Sequence, residues 1–179
     1  ATEESFDHYS RRRAVTPFAT CSIIVVALAL FYILVYLTKV GELEGAGLAG
    51  VAMMVAAVLI SIVIIRLCAS PSVLVGKGKQ LSCFAACVLF YIGANLQRPS
   101  PLVDDTTQIL IAMIAMSMFI GVTAVEVLSM QLFFVFLHFV MLFAYRPIVT
   151  VNSFTSPVIS VGLLCNTSLL QLRDRKKLF

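Results

Sequence analysis

Charged residues are scarce in this sequence. Only 12% of its 179 residues are Asp, Glu, Lys or Arg, whereas 60% are hydrophobic. A soluble core of this size needs far more polar surface to cover it, so the composition excludes an ordinary soluble domain. The sequence predicts an all-α integral membrane protein whose first partner is the lipid bilayer.

Signatures of catalysis and conduction are also missing. The sequence has no Gly-rich phosphate loop, no H-E-x-x-H and no G-x-S-x-G, and no cytosolic segment is large enough to hold a nucleotide. It lacks arginines at three-residue intervals within a span and a TVGYG-like filter, which voltage sensors and potassium channels need. We therefore assign no catalytic residue, metal ligand or cofactor to this segment, and no nucleic-acid partner.

The five cysteines form no disulfide or metal-binding pattern. All lie in or beside apolar segments, where a thiol acts mainly as a small hydrophobe. Cys83 and Cys87 share a helical face, but no His or acidic neighbour completes a metal site, so we expect them to pack in the core.

Six apolar segments are long enough to cross a bilayer, which takes roughly 20 residues. They give a six-transmembrane-helix bundle, with a lead-in at 1–16, a membrane domain at 17–172 and the start of an exit helix at 173–179. The predicted spans are residues 17–39, 46–68, 80–97, 106–126, 128–145 and 150–172.

The fourth and fifth spans have no Gly-Pro break between them. Read as one helix, residues 106–145 would be about 60 Å long, twice the hydrocarbon thickness. A tight hairpin near the sequence VEVLSMQ is therefore predicted.

Basic residues orient the predicted bundle. With six spans both termini lie on one side, and this side receives ten of the 13 Lys and Arg residues. The positive-inside rule then predicts that both termini are cytoplasmic. The ten residues are Arg11, Arg12, Arg13, Arg66, Lys77, Lys79, Arg173, Arg175, Lys176 and Lys177.

Few polar side chains are predicted inside the bilayer. His138 lies midway along span five, either as a proton-relay group or, as we prefer, as a neutral histidine hydrogen-bonded across the bundle. Glu126 lies in the proposed hairpin, near headgroup water. A transporter is expected to have several buried charges or paired broken helices, and the sequence has neither.

Small residues at four-residue spacing let helices approach closely. They mark either packing within this chain, which we favour, or a dimer face. The predicted helix-packing residues are Gly45, Ala49, Ala46, Gly50, Ser117 and Gly121.

Both ends of the sequence are basic. Arg11, Arg12 and Arg13 are expected to face anionic lipid. At the other end, span six runs into LRDRKKLF without Gly or Pro, so we expect a helix that leaves the membrane with Arg173, Arg175, Lys176 and Lys177 as cytoplasmic anchors. The apolar pair at 178–179 suits a helix that continues as a coiled coil.

Six short-looped spans and a basic exit helix resemble a membrane cassette of the transmembrane adenylyl cyclases, and the second cassette most closely. ESFDHYSRRRAVTPFATCSIIVV is similar to its lead-in and first span, IAMSMFIGVTAVEVLSMQLFFVFLHFVMLFAYRP to its fourth and fifth spans, and LLQLRDRKKLF to its exit helix. The family's long extracellular loops are absent here.

The resemblance implies an anchor and signal-coupling cassette in the plasma membrane. The family's catalytic domains convert ATP to cyclic AMP and pyrophosphate with Mg²⁺, but their metal-binding aspartates and nucleotide-contacting residues have no counterpart in this segment. The resemblance also implies two partners, a second membrane cassette and, through cytosolic domains, heterotrimeric G-protein subunits.

Two alternatives remain open. In the first, the chain is a complete small, non-enzymatic polytopic subunit of a larger membrane complex, with an organellar membrane as its location; in the second, it is a small transporter or channel. The mass of the native protein distinguishes the first, and a flux assay of His138→Ala tests the second.

Overall fold

Six α-helices follow one another along the chain. The computed structural model describes residues 15–39, 45–69, 77–97, 105–121, 123–145 and 151–178. All regular structure in these ranges is helical. The helices are α1 (Val15–Lys39), α2 (Gly45–Cys68), α3 (Lys77–Leu96), α4 (Asp105–Ile120), α5 (Ala124–Tyr145) and α6 (Val151–Leu178).

Contacts between named residues show that successive helices run in opposite directions. Cys21 and Ser22, near the start of α1, meet Cys87 and Cys83 of α3. Tyr36, near the end of α1, lies against Gly47 at the start of α2. The first and third helices therefore run parallel to each other and antiparallel to α2.

The later helices continue this alternation. The Gln80 side chain, in the first turn of α3, reaches the Ile120 carbonyl at the end of α4. Cys165, in the second half of α6, meets Gln131 in the first half of α5. The starts of α1, α3 and α5 and the ends of α2, α4 and α6 thus share one end of the bundle, which we call the basic end because Arg66, Lys77, Lys79 and Arg173 lie there.

Helix α4 occupies the middle of the bundle. It packs against α1, α3, α5 and α6, whereas α2 packs mainly against α1 and α3. Its apolar part, Ile109–Ile120, is shorter than a full span. A helix surrounded by protein has little contact with lipid, which accounts for its many fully covered side chains: Leu110, Met113, Ile114, Ser117 and Ile120 are all 0% exposed.

Apolar side chains cover the outside of the other helices. On α5, Phe136 and Phe143 are 67% and 65% exposed although Phe134 is fully buried. An exposed apolar surface of this kind is what a bilayer-facing helix requires. Among the described residues, α1, α2, α3 and α5 are long and apolar enough to cross a membrane, with spans at Thr16–Thr38, Gly45–Cys68, Lys77–Leu96 and Ala124–Ala144. The chain is therefore an all-α membrane protein.

The predicted separation of the fourth and fifth segments into two helices is confirmed, but its predicted position is wrong. VEVLSMQ lies inside α5, because α4 ends at Ile120 and α5 begins at Ala124. Its physical cause is a capping box: the Glu126 backbone N–H donates to Thr123 Oγ1 at 3.2 Å, and the Thr123 N–H donates to Glu126 Oε2 at 3.2 Å. These bonds give hydrogen-bond acceptors to backbone N–H groups at the start of α5, which have no partner within the helix itself.

The length of α6 also sets it apart. Its 28 residues form one helix across Pro157 and Gly162. At 1.5 Å per residue the helix is about 42 Å long, so it exceeds a hydrocarbon layer of about 30 Å by two turns. The last of its turns carry the basic residues that the sequence assigned to the exit helix.

Candidate functional site: polar contacts inside the bundle

His138 is buried between α5 and α3. Its ring is 2% exposed, and its Nδ1 lies 2.8 Å from the hydroxyl of Tyr91, which is fully buried. Tyr91 also packs edge-to-face on Phe134, with ring centroids 6.0 Å apart. If the Tyr91 hydroxyl donates, Nδ1 accepts and the imidazole is neutral, which is the state that an apolar interior favours.

A second polar group joins α3 to the turn between α4 and α5. The Nε2 amide of Gln80 donates to the Ile120 carbonyl at 3.1 Å and to Glu126 Oε2 at 2.9 Å. Glu126 is half-buried and also takes part in the capping box. One glutamine of α3 therefore links the end of α4 to the start of α5. Through these two hydrogen bonds, a displacement of α3 would also displace this turn.

The third polar contact connects α5 to α6. The Cys165 thiol donates to Gln131 Oε1 at 3.0 Å, and Gln131 is fully buried. A buried glutamine that is bonded across two helices restricts how they can rotate against each other. This contact therefore fixes the orientation of α6 on the bundle.

These contacts lie at three depths along α5. Glu126, Gln131 and His138 are separated by about 7 Å and 10 Å along the helix axis at 1.5 Å per residue. Proton transfer between groups needs hydrogen-bond contact near 3 Å or an intervening water. The spacing is therefore better suited to cross-links between helices than to a proton relay.

Close backbone packing occurs between α2 and α3. A Cβ on Gly50 would lie 2.8 Å from the Gly93 carbonyl oxygen, and a Cβ on Gly93 would lie 2.8 Å from the Gly50 carbonyl oxygen. Only glycine allows so close an approach at both positions. The two helices therefore meet backbone to backbone near the opposite end of the bundle.

The other small residues of the predicted packing set have different surroundings. Ser117 is fully buried and donates to its own helix at the Ile114 carbonyl. A Cβ on Gly121 would collide with Val127, so glycine is needed at the turn. Three members are exposed among the described residues, namely Gly45, Ala46 and Ala49.

Three thiols cluster between α1 and α3. Cys21, Cys83 and Cys87 are 2%, 1% and 0% exposed, and the sulfur atoms of Cys21 and Cys87 are 3.9 Å apart. Ser22 Oγ lies 3.9 Å from the Cys83 sulfur. The sulfurs are at packing distance, in keeping with thiols that fill the core.

The basic residues of the exit helix are partly described. Arg173 is exposed on α6, and the helix backbone continues through Arg175, Lys176 and Lys177. The predicted anchors Arg11, Arg12 and Arg13 lie outside the described residues. Among the residues that are described, no three His, Cys, Asp or Glu side chains are arranged to hold a metal ion.

Sequence reasoning did not identify Tyr91, Gln80, Gln131 or Gly93. Each is a polar or small residue in an apolar span, which is a usable signal because such residues tend to lie at helix contacts. The pairing of each with its partner could not be read from one sequence.

Comparisons with known proteins give no relative: no family model, no curated protein and no solved structure matches this chain.

Proposed function

We propose that this chain is the membrane-spanning anchor and signal-coupling cassette of an adenylate cyclase, with six spans and both termini in the cytoplasm. The observation that carries the proposal is α6, one helix from Val151 to Leu178 that is held by the bundle and is about two turns longer than the hydrocarbon is thick. A stiff helix of this kind transmits rotation or displacement to whatever follows it.

The bundle offers a route for such a movement. Helix α6 packs on α4 and α5, and the Gln131 to Cys165 contact holds its face in register. Helix α4 in turn touches α1 and α3. A change in how α1 and α3 pack, caused by lipid, ligand or a second membrane cassette, would therefore reach the exit helix through α4 and α5.

The chemistry belongs to domains outside this segment. Conversion of ATP to cyclic AMP and pyrophosphate needs Mg²⁺-binding carboxylates and a nucleotide pocket, and the described residues offer no such set. Mg²⁺, ATP and any heterotrimeric G-protein subunit would thus bind cytosolic domains, while these helices hold them at the plasma membrane and set their relative position.

The first test weighs and assays the native protein. Antibodies against a peptide of this chain are used to purify the natural product from membranes in mild detergent. The proposal predicts a polypeptide several times heavier than 19.5 kDa that forms cyclic AMP from ATP. A polypeptide near 19.5 kDa without cyclase activity would refute it and would favour a small subunit of a membrane complex.

A second test asks whether α6 couples or only anchors. One, two, three or seven alanines are inserted after Gln171 in the native cyclase. One residue turns the following helix by about 100°, whereas seven restore its phase to within about 20°. A coupling helix predicts altered activity for one to three residues and recovery with seven. Cyclase activity that does not depend on the helical phase of the insertion would show that this segment only anchors the protein.

The small-subunit alternative has one observation of its own in its favour. Gly45, Ala46 and Ala49 are exposed at the start of α2, where a neighbouring helix could approach closely. Under that alternative, other membrane polypeptides should co-purify in fixed ratio with the 19.5 kDa chain, and Ala49→Leu should release them.

A further inference from the structure

Helix α6 carries an evenly spaced row of exposed residues on a side turned away from α4 and α5. Its inward side is marked by Val161 and Leu164, which pack on the buried core, and by the thiol of Cys165. The exposed row repeats at intervals of three, four and three residues, and we call it the outer row. Its members are Ile159, Gly162, Asn166 and Leu169.

The spacing of the outer row is that of a helix that packs along its length against a second helix. Positions a and d of a heptad alternate in this way and form one narrow stripe. Ile159 and Asn166 take position a of the row. Gly162 and Leu169 take position d. Ile at a with Leu at d favours two parallel strands, and a single Asn at a fixes their register and number.

The depth of Asn166 in the membrane follows from the residue before it. Cys165 bonds Gln131, which lies about 7 Å inward of Glu126 at the start of α5. Along α6 itself, Asn166 lies about 10 Å inward of Arg173, the first charged residue of the exit helix. The side chain of Asn166 is therefore at the depth of the hydrocarbon and inward of the headgroups.

The amide of Asn166 is also unsatisfied. It is exposed and has no hydrogen-bond partner among the described residues. The next residue, Thr167, is exposed as well, but its hydroxyl donates to the Leu163 carbonyl at 2.8 Å. An amide that faces hydrocarbon without a partner is costly, and polar side chains of this kind bond across to neighbouring helices in membranes.

A second copy of the same helix supplies what Asn166 lacks. A carboxamide has both donor N–H groups and an acceptor oxygen, so two asparagines bond each other across a two-fold axis. Gly162, one turn away, lets the two backbones approach, because even a Cβ there would meet nothing within 4 Å in its own chain. Copies of one chain insert with the same orientation, so their α6 helices are parallel, as the heptad positions require.

We propose that two copies of this chain associate through the outer rows of their α6 helices, with Asn166 hydrogen-bonded to its counterpart at the centre. The next position a is Arg173, which lies beyond the hydrocarbon, where water and salt screen the two like charges. The inward side of α6 stays on its own bundle, so this pairing is compatible with the packing on α4 and α5. The proposal does not depend on whether α6 couples to a cyclase.

The experiment measures the dimer dissociation constant of the full chain in bicelles. Copies labelled at the N-terminal amine with a donor or an acceptor fluorophore are mixed, and energy transfer is followed as the protein-to-lipid ratio is varied. Asn166→Val removes the amide and should raise the dissociation constant by about threefold to twentyfold, whereas Asn166→Gln keeps the amide and should retain the pairing.

Two further variants complete the set. Gly162→Leu should raise the dissociation constant by about tenfold or more, because its bulk keeps the two backbones apart. Alanine is itself common at close helix contacts, so leucine is the informative change at this position. Thr167→Val is the matched control and should leave the constant unchanged, because Thr167 lies beside the outer row and its hydroxyl already bonds its own helix.

Three results would overturn the proposal: an unmodified chain that stays monomeric at every protein-to-lipid ratio, an unchanged constant in both Asn166→Val and Gly162→Leu, or an equal loss in Thr167→Val. A monomeric chain whose outer row cross-links only to a different polypeptide in native membranes would assign the row to that partner instead. Circular dichroism checks that each variant is helical. If a variant does not fold, the unmodified chain still decides the matter, because it must form dimers by itself.

Discussion

The backbone contact between α2 and α3 leads to a prediction about two glycines. In Gly93→Ala the new methyl carbon would lie 2.8 Å from the Gly50 carbonyl oxygen and 2.9 Å from Met54 Cγ. Ordinary contact begins near 3.4 Å, so the helices must separate by about 0.6 Å at this point. The carbonyl oxygen is fixed in its helix and cannot turn aside, so the strain falls on the packing of the whole pair.

Overpacking of this kind costs about 1–3 kcal/mol. Alanine is also the better helix former by about 1 kcal/mol, which masks part of that cost. Gly162→Ala is the matched control, because Gly162 lies within α6 and a Cβ there would meet nothing within 4 Å. Both variants gain helix propensity, so the difference between them isolates the contact, and we expect Gly93→Ala to be less stable than Gly162→Ala by about 1–3 kcal/mol.

The assay is reversible unfolding in mixed micelles, followed by circular dichroism or steric trapping. Gly50→Ala should behave like Gly93→Ala. The double variant should lose less unfolding free energy than the two single variants lose together. The first methyl group already separates the helices, so the second methyl group meets less strain. Equal stability of Gly93→Ala and Gly162→Ala, to within about 0.5 kcal/mol, would show that the two backbones do not meet as described.

Four further substitutions, which test three predictions, probe the polar contacts and the core. Tyr91→Phe removes only the hydroxyl that forms a hydrogen bond with His138, and it should lower the free energy of unfolding by about 0.6–1.7 kcal/mol in the same assay. An unchanged free energy of unfolding would mean that this bond is not formed. Thr123→Ala removes the hydroxyl that accepts the Glu126 N–H in the capping box. It should lower the free energy of unfolding by about 1 kcal/mol and speed hydrogen exchange in the first turn of α5. Exchange that stays slow there would argue against the cap. Phe134→Ala should lower the free energy of unfolding by about 3–5 kcal/mol because the ring is fully buried. Phe136→Ala should change it by less than about 1 kcal/mol, because that ring is 67% exposed. Similar losses for both variants would contradict the assigned inward face of α5.

Hydropathy was sufficient to predict the helices but not their contacts. The segments predicted as spans one, two, three and five coincide closely with α1, α2, α3 and α5, because in a bilayer length and apolarity decide where a helix forms. The choice of inward face is a different problem. In a soluble helix the inward side is apolar and the outward side polar, but here both are apolar, so Phe134 and Phe136 look alike in the sequence.

The position of the turn between α4 and α5 shows a second limit. Counting apolar residues required a break somewhere in residues 106–145, and one exists. Its location depends on a local bonding pattern, the T-A-V-E box from Thr123 to Glu126, which hydropathy does not register. That box was visible in the sequence, and a search for capping signals inside the long apolar stretch would have found it.

The candidate site was the least predictable part. His138 was identified because an ionisable residue in an apolar span is rare, yet its partner Tyr91 is 47 residues away and is one of several tyrosines in the chain. The Gln80 contact with the α4 to α5 turn likewise joins groups that are distant in sequence. Such pairs depend on which helices are neighbours, and hydropathy alone does not determine that.

The helices of this bundle are held with unequal strength, and this bears on the coupling proposal. Helices α2 and α3 meet backbone to backbone at Gly50 and Gly93, and α1 joins them through the buried thiols, so these three form the firmer unit. Helix α6 packs mainly on α4 and α5, and many of its described apolar side chains, such as Leu163 at 65%, are exposed. A helix with fewer buried contacts is displaced at lower free-energy cost than one in the firm unit. If the bundle transmits a signal, a small change in the packing of α1 and α3 should therefore displace α6 more than it displaces those two helices, and the contact with Gln131 would be the pivot.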